Sequence, residues 1–235
     1  MWRKNSKAKQ QSHDEEVVFQ GGQVTALSVQ KGNPDRVSLF VDDEFQFGLR
    51  REVAYHFGLK KGLDVTPDFL MDVWREEVGY KARDDAATYL MRRARSRQEI
   101  ARHLGDKGYD ETVVANTLDW LDRYGYVDDE DFAKRWVEDR LRFRPRGKAM
   151  LRWELQQKGV ASDDIESALG ELVDEQGEVE AAVQLLEKKV GRKQPEWTPE
   201  LKRKLGQFLA RKGFSTSVIY TALGRLREST NLDND

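Results

Sequence analysis

No cysteine occurs in the 235 residues, which excludes a disulfide framework, a cysteine-zinc site and a thiol nucleophile, and fits a reducing compartment. Histidine is nearly as scarce. His13, His56 and His103 each lack a nearby second ligand or a Ser/Asp partner in sequence, so neither metal nor triad chemistry is expected. No stretch of about 18 uncharged apolar residues is present, so no membrane span is expected. The opening MWRKNSKAKQQSHDEE lacks the apolar run of a secretory signal, and the cytoplasm is the expected location. A Gly-rich phosphate loop is missing too: Arg146-Gly147-Lys148 carries only a fragment of that motif, so nucleotide hydrolysis is not expected. Proline is limited to five positions, and Pro145, Pro195 and Pro199 fall in expected connections.

What is abundant is charge, at 35% of residues, beside a 38% apolar set that includes 6 Trp, 7 Tyr and 10 Phe. That many aromatics argue against a wholly disordered chain. The net charge of -2 names no partner, but the distribution is uneven. Arg140, Arg142, Arg144, Arg146, Lys148 and Arg152 form a tract without an acid. From Asp163 to Glu180 there are eight acids and no base. Those acids read as solvated helix faces, with docking of a basic partner as the alternative.

Residues 1–22 are polar and aperiodic and are expected to form a disordered tail. Val24–Val29 and Val37–Val41 flank a Gly-Asn-Pro cluster and predict a hairpin, with Phe45–Phe47 as a third short strand. So small a sheet must lean on another element. From Arg50 onward the pattern is helical. Thr66-Pro67-Asp68 is a helix start, with Thr as N-cap and Pro at the first position.

A repeat organises the rest. When Lys107-Gly108, Lys158-Gly159 and Lys212-Gly213 are aligned, six apolar positions match without a gap, at glycine spacings of 51 and 54 residues. Eight before Gly stand Ile100, Leu151 and Leu205; four before, Leu104, Leu155 and Leu209; one after, Tyr109, Val160 and Phe214. Further on stand Val114, Ile165 and Ile219, then Leu118, Leu169 and Leu223, then Leu121, Leu172 and Leu226. The first two positions make a stripe on one helix face. Lys suits the negative helix end, Gly is the left-handed residue that stops it, and the next apolar residue folds back. Asp110, Ser162 and Ser215 are candidate N-caps of the following helix. Ser96-Arg97-Gln98-Glu99 is a capping box. An apolar helix precedes each unit.

The expected fold is therefore mostly α: three tandem tri-helical, helix-turn-helix-like modules in an elongated, curved array, with a small N-terminal β element. The expected boundaries are a tail at 1–22, the β element plus helices at 23–83, modules at 84–127, 128–174 and 175–228, and a C-terminal tail at 229–235.

Tyr89-Leu90, Arg95-Ser96-Arg97-Gln98-Glu99-Ile100, Leu104-Gly-Asp-Lys107-Gly108-Tyr109 and Tyr124-Gly125-Tyr126-Val127-Asp128-Asp129-Glu130-Asp131-Phe132-Ala133 together resemble the RecX family. The likeness continues through Arg140, Gly147 and Glu154-Leu155-x-x-Lys158-Gly159, and covers about 84–227; Phe47–Leu63 resembles the N-terminal extension of longer members. The resemblance implies a non-enzymatic modulator of the RecA recombinase. Such a protein binds the RecA–DNA filament along its groove and lowers its ATPase, strand-exchange and coprotease activities in recombination, DNA repair and the SOS response. It implies no cofactor and no catalytic residue, and a monomer is expected.

Contact residues follow from chemistry. The cluster Arg92, Arg93, Arg95, Arg97 and the tract Arg140–Arg152 could fork onto phosphates or carboxylates. The alternative is solvated helix ends paired with local acids. Asp128–Asp131 lacks the alternating spacing and glycine of a calcium loop, and reads as a cap plus dipole-favourable acids. Trp120, Trp136 and Trp153 are candidates for stacking on bases; Trp136, in line with Phe132 and Val137, reads as core. A competing function is direct binding to single- or double-stranded DNA without RecA, using the helix-turn-helix-like modules.

Overall fold

The computed structural model describes residues 18–191 and 196–232. The expected tail up to residue 17, with His13, lies outside them, as do Pro195 and the last three residues. The described chain forms two compact units. Residues up to Arg93 with Ile100–Tyr124 make the first, and Ala94–Glu99 with the residues from Gly125 on make the second.

In the first unit, strands β1 (Gly22–Gln30), β2 (Asn33–Val41), β3 (Glu44–Arg50) and β4 (Asp64–Val65) form an antiparallel sheet in the order β3-β2-β1-β4. The expected hairpin and third strand are present. The β2–β3 turn is made by Asp42 and Asp43, both at positive φ (47° and 64°). That is the mirror-image turn whose twist matches paired strands. Asp42 stays useful there by accepting the Gln23 N–H at 2.9 Å. The polar segment ends earlier than residue 22. Phe19 is buried, with its ring 5.1 Å from Phe47 and 6.2 Å from Trp74.

The sheet leans on α2 (Pro67–Leu90), which follows the short α1 (Arg51–His56). Thr66 caps α2, its hydroxyl accepting the Phe69 N–H at 3.2 Å, with Pro67 in the first turn. Leu70 and Val73 pack on the sheet. Buried Glu77 fixes the register: it accepts the Arg50 N–H at 2.8 Å and pairs with the Arg36 guanidinium at 2.7 Å. The expected boundary at 83/84 falls inside this helix. Beyond Pro67 only Gly79 weakens it, and Leu70, Val73, Ala82 and Ala86 make one continuous buried stripe. The same helix thus supports the sheet and supplies the first helix of the first module. Its later turns meet α4 (Glu111–Arg123): Arg83 lies over the Trp120 ring and Asp85 accepts from Tyr109 Oη at 2.7 Å. Burial pushes Asp85 up, but the Tyr109 hydroxyl and Lys107 outweigh it and leave the carboxyl below its ordinary value.

The remaining helices are α3 (Arg97–Asp106), α5 (Asp129–Phe143), α6 (Lys148–Gln156), α7 (Ser162–Leu172), α8 (Glu175–Val190), α9 (Pro199–Ala210) and α10 (Thr216–Leu232). Helix α10 runs through most of the expected C-terminal tail. All three repeat glycines have positive φ: 86° at Gly108, 75° at Gly159 and 87° at Gly213. Each closes its helix with the same pair of bonds. Tyr109, Val160 and Phe214 donate N–H to Leu104, Leu155 and Leu209, while the glycine N–H reaches three residues back. Ile100, Leu104, Gly108-flanking Tyr109, Leu118, Leu121, Leu151, Leu155, Val160, Ile165, Leu169, Leu205, Leu209, Phe214, Leu223 and Leu226 are buried; Val114, Leu172 and Ile219 are half-buried.

The caps follow the reading at two of three sites. Asp110 accepts from Val113 at 2.9 Å and Ser215 from Val218 at 3.3 Å. Ser162 is already helical, and Ala161 stands at the N-cap without a side-chain bond. Pro199 opens α9 behind the Thr198 cap, repeating the Thr-Pro start of α2 rather than lying in a connection.

Candidate partner-binding site

The tract Arg140–Arg152 spans the end of α5, a turn and most of α6, and folding sorts its cations into two kinds. Arg140 donates through Nε to Glu154 Oε2 at 2.6 Å, and its guanidinium lies 3.9 Å from the centre of the Trp136 ring. The same carboxylate accepts Trp136 Nε1–H at 3.0 Å, and Arg146 Nε approaches its other oxygen at 3.7 Å. Glu154 is 15% exposed, Arg140 22% and Arg146 24%. These two arginines therefore carry internal work: they neutralise a mostly buried carboxylate and cover a tryptophan face. Arg152 forks onto Glu166 with bonds of 2.6 and 2.9 Å, which raises the arginine and lowers the glutamate from their ordinary values. Lys148 gives its main-chain N–H to Glu178 at 2.9 Å.

Arg142 and Arg144 remain on the solvent side, and no ion pair holds either among the described residues. Between them Phe143 is 67% exposed, with the Arg142 guanidinium 5.1 Å from its ring centre. A planar apolar ring between two forked cations can meet phosphates or carboxylates at its edges and stack on a flat surface with its face. Sequence reasoning passed over Phe143. The signal was an apolar residue at the charged end of a helix whose buried stripe lies elsewhere. Glu154 and Glu166 were missed as partners because each lies 14 residues from its arginine, with no local periodicity to join them.

The other arginine cluster is divided. Arg92 and Arg93 are exposed in the turn after α2, whereas Arg95 and Arg97 are half-buried. The Arg97 N–H donates to Asp129 at 2.8 Å, and Asp128 caps α5 by accepting from Asp131 at 2.9 Å. Of the four consecutive acids Asp128 is thus the cap and the other three stand in the first turn of α5, where Glu130 and Asp131 pair with Lys134 and Arg135; no group of metal-holding side chains occurs among the described residues. Trp136, read as core, is only half-buried and packs against the core cluster; Trp120 lies under Arg83, and Trp153 is 55% exposed.

Asp129 allows a test. Burial, then Asp164 and Asp128, push its carboxyl up against the opposing bond from Arg97. A raised folded-state value means the charge costs stability above that value, and the cost fades as pH falls through it towards the unfolded range near about 3.9. Asp129→Asn keeps an acceptor for Arg97 and removes the charge. Urea unfolding at pH 7 should show no loss, or a gain below about 1 kcal/mol, narrowing on acidification. Asp129→Ala should lose about 1–2 kcal/mol at pH 7 by orphaning the N–H, and the loss should widen on acidification as the wild type is relieved of its charge.

An N-terminal sheet followed by repeated three-helix units defines a tandem helical-repeat protein. Family models give it a name. The RecX N-terminal domain matches residues 22–66, and the first, second and third RecX three-helix domains match 82–121, 128–169 and 176–223. Regulatory protein RecX of Clostridium botulinum (strain Eklund 17B / Type B) is 33% identical over 198 residues, 83% of this chain and 92% of that protein. The RecX of Clostridioides difficile (strain 630) is 30% identical over 205 residues, 87% and 96% of the two chains. A crystal structure of regulatory protein RecX superposes with a TM-score of 0.71 at 24% identity, covering 86% of this chain and 98% of that one. RecX from Lactobacillus salivarius gives 0.58 at 26%, covering 63% and 96%. The chain belongs to the RecX family of regulatory proteins. No helix among the described residues is long and apolar enough to cross a membrane.

Proposed function

We propose that this protein is a negative regulator of the RecA recombinase in the cytoplasm. It acts as a monomer that lies along the groove of the RecA–DNA filament and lowers ATPase, strand-exchange and coprotease activity during recombination, DNA repair and the SOS response. It works by occupancy and carries out no catalysis. Tandem helical repeats in general offer extended binding surfaces, which suit a helical polymer. Family membership supports the general role. The observation that carries the contact assignment is the Arg142-Phe143-Arg144 tip: once Glu154 and Glu166 have taken their arginines, this is the part of the basic tract left facing solvent.

The experiment is RecA ATPase on single-stranded DNA with added protein. Wild type should suppress turnover, and Arg142→Glu with Arg144→Glu should weaken suppression by at least about tenfold in the concentration needed. Changing Arg140 or Arg146 would be uninformative, because both hold Glu154. If the double variant suppresses as well as wild type, the tip is not the contact. Tight binding to naked DNA, falling steeply with salt and indifferent to RecA, would favour the direct DNA-binding reading instead.

A further inference from the structure

The repeat carries a second device that its apolar anchors do not explain. Twelve residues before Gly108 stands Ser96, and twelve before Gly159 stands Gly147. Each is the residue that opens the second helix of its module, and each is bonded to the Lys-Gly turn of the next. Ser96 Oγ donates to the Lys158 carbonyl at 2.5 Å; Gly147 N–H donates to the Lys212 carbonyl at 3.0 Å. One residue on, the Arg97 N–H goes to Asp129 and the Lys148 N–H to Glu178, acids from the first turns of α5 and α8. The orphan donors of a helix N-terminus, which must find acceptors somewhere, are thus supplied by the following Lys-Gly turn and by an acid from the helix two before it.

The two joints are built to different strengths. At the first, Ser96 and Glu99 form a reciprocal capping box, with bonds of 3.2 and 3.3 Å. Glu99 also holds the Lys158 ammonium at 2.9 Å; the two side chains are 18% and 16% exposed. Lys158 in turn lies 4.3 Å from the centre of the Trp136 ring. At the second, Gly147 offers no side chain, and the turn is gripped by the main chain: Ala149 N–H reaches the Gly213 carbonyl at 3.3 Å. A Cβ on Gly147 would strike that carbonyl, so glycine is needed for close approach rather than for its φ of -75°. The position of Glu99 is taken by Met150, and no acid pairs with Lys212 among the described residues. Arg146 instead presents like charge to the lysine. The buried apolar residues of 132–173 and of 179–226 fall in separate clusters, so no shared core among the described residues reinforces this joint.

We propose that the Gly147/Lys212-Gly213 contact is the hinge of the second unit, opening while the helices on both sides stay folded, whereas the Ser96/Lys158 contact is a fixed clamp. The test is native-state hydrogen exchange of the full chain in low urea. The Lys148 and Ala149 amides should exchange at least about tenfold faster than that of Arg97, the ratio expected from one extra charged hydrogen bond, with Leu155 and Leu209 still protected. Exchange of Lys148 and Ala149 only together with Leu155 and Leu209, or no faster than Arg97, would overturn the proposal. Met150→Glu installs the acid of the first joint opposite Lys212 and should slow exchange at Lys148 and Ala149 several-fold. Unchanged exchange in a folded Met150→Glu variant would refute the missing ion pair as the cause.

Discussion

Replacing Glu154 by Ala should destabilise the second unit by about 3 kcal/mol or more. The side chain is one acceptor for three donors: Arg140 at 2.6 Å, Trp136 Nε1–H at 3.0 Å and, more distantly, Arg146 at 3.7 Å. Truncation leaves two largely enclosed guanidinium groups without a counter-charge and a tryptophan N–H without an acceptor. The loss therefore exceeds the worth of one ion pair. Glu154→Gln keeps an acceptor for Trp136 and should lose less. In the Glu154→Ala background, Arg140→Ala should recover part of the loss, since it removes one stranded charge. Urea denaturation followed by tryptophan fluorescence reads all of these, and a cost below about 1 kcal/mol for Glu154→Ala would mean water replaces the carboxylate.

Leu155→Ala should cost about 2–5 kcal/mol, and Leu172→Ala clearly less, although the repeat treats both as anchors. Leu155 is fully buried, four residues before its glycine, and its carbonyl receives the Val160 N–H that closes the helix. A cavity there lies between α5, α6 and α7 and has no route to collapse without breaking that closure. Leu172 ends α7 and keeps partial exposure, so solvent fills the space its side chain leaves. Chemical denaturation of the two variants against wild type gives the comparison. Equal losses would show that the helix-closing position carries no special weight.

The recurring Lys-Gly stops, the capping box at Ser96–Glu99, the Thr66-Pro67 start and the Asp128 cap with its first-turn acids were all readable in the chain, because each depends on neighbours within one or two helical turns. The same locality explains the misses. Ser162 offered a hydroxyl at the expected distance from Gly159, but the backbone turned helical one residue sooner and left Ala161 at the cap. The boundary at 83/84 falls close to residue 82, where the first three-helix family match begins, yet α2 crosses it unbroken, because its buried stripe continues from Leu70 to Ala86. Phe19 lies in a polar segment, and only the space between Phe47 and Trp74 gives it a place.

The basic tract marks the division most clearly. Six cations without an intervening acid are a property of the sequence, and so are the glycines that must take positive φ and the anchors that must leave water: local sterics and hydrophobic periodicity suffice for these. Which of those cations stay free is decided in three dimensions. Glu154 and Glu166 are distant along the chain and are brought to Arg140, Arg146 and Arg152 by helix packing. A charge's availability depends on what packing sets beside it, so only the tertiary structure separates Arg142 and Arg144 from their neighbours.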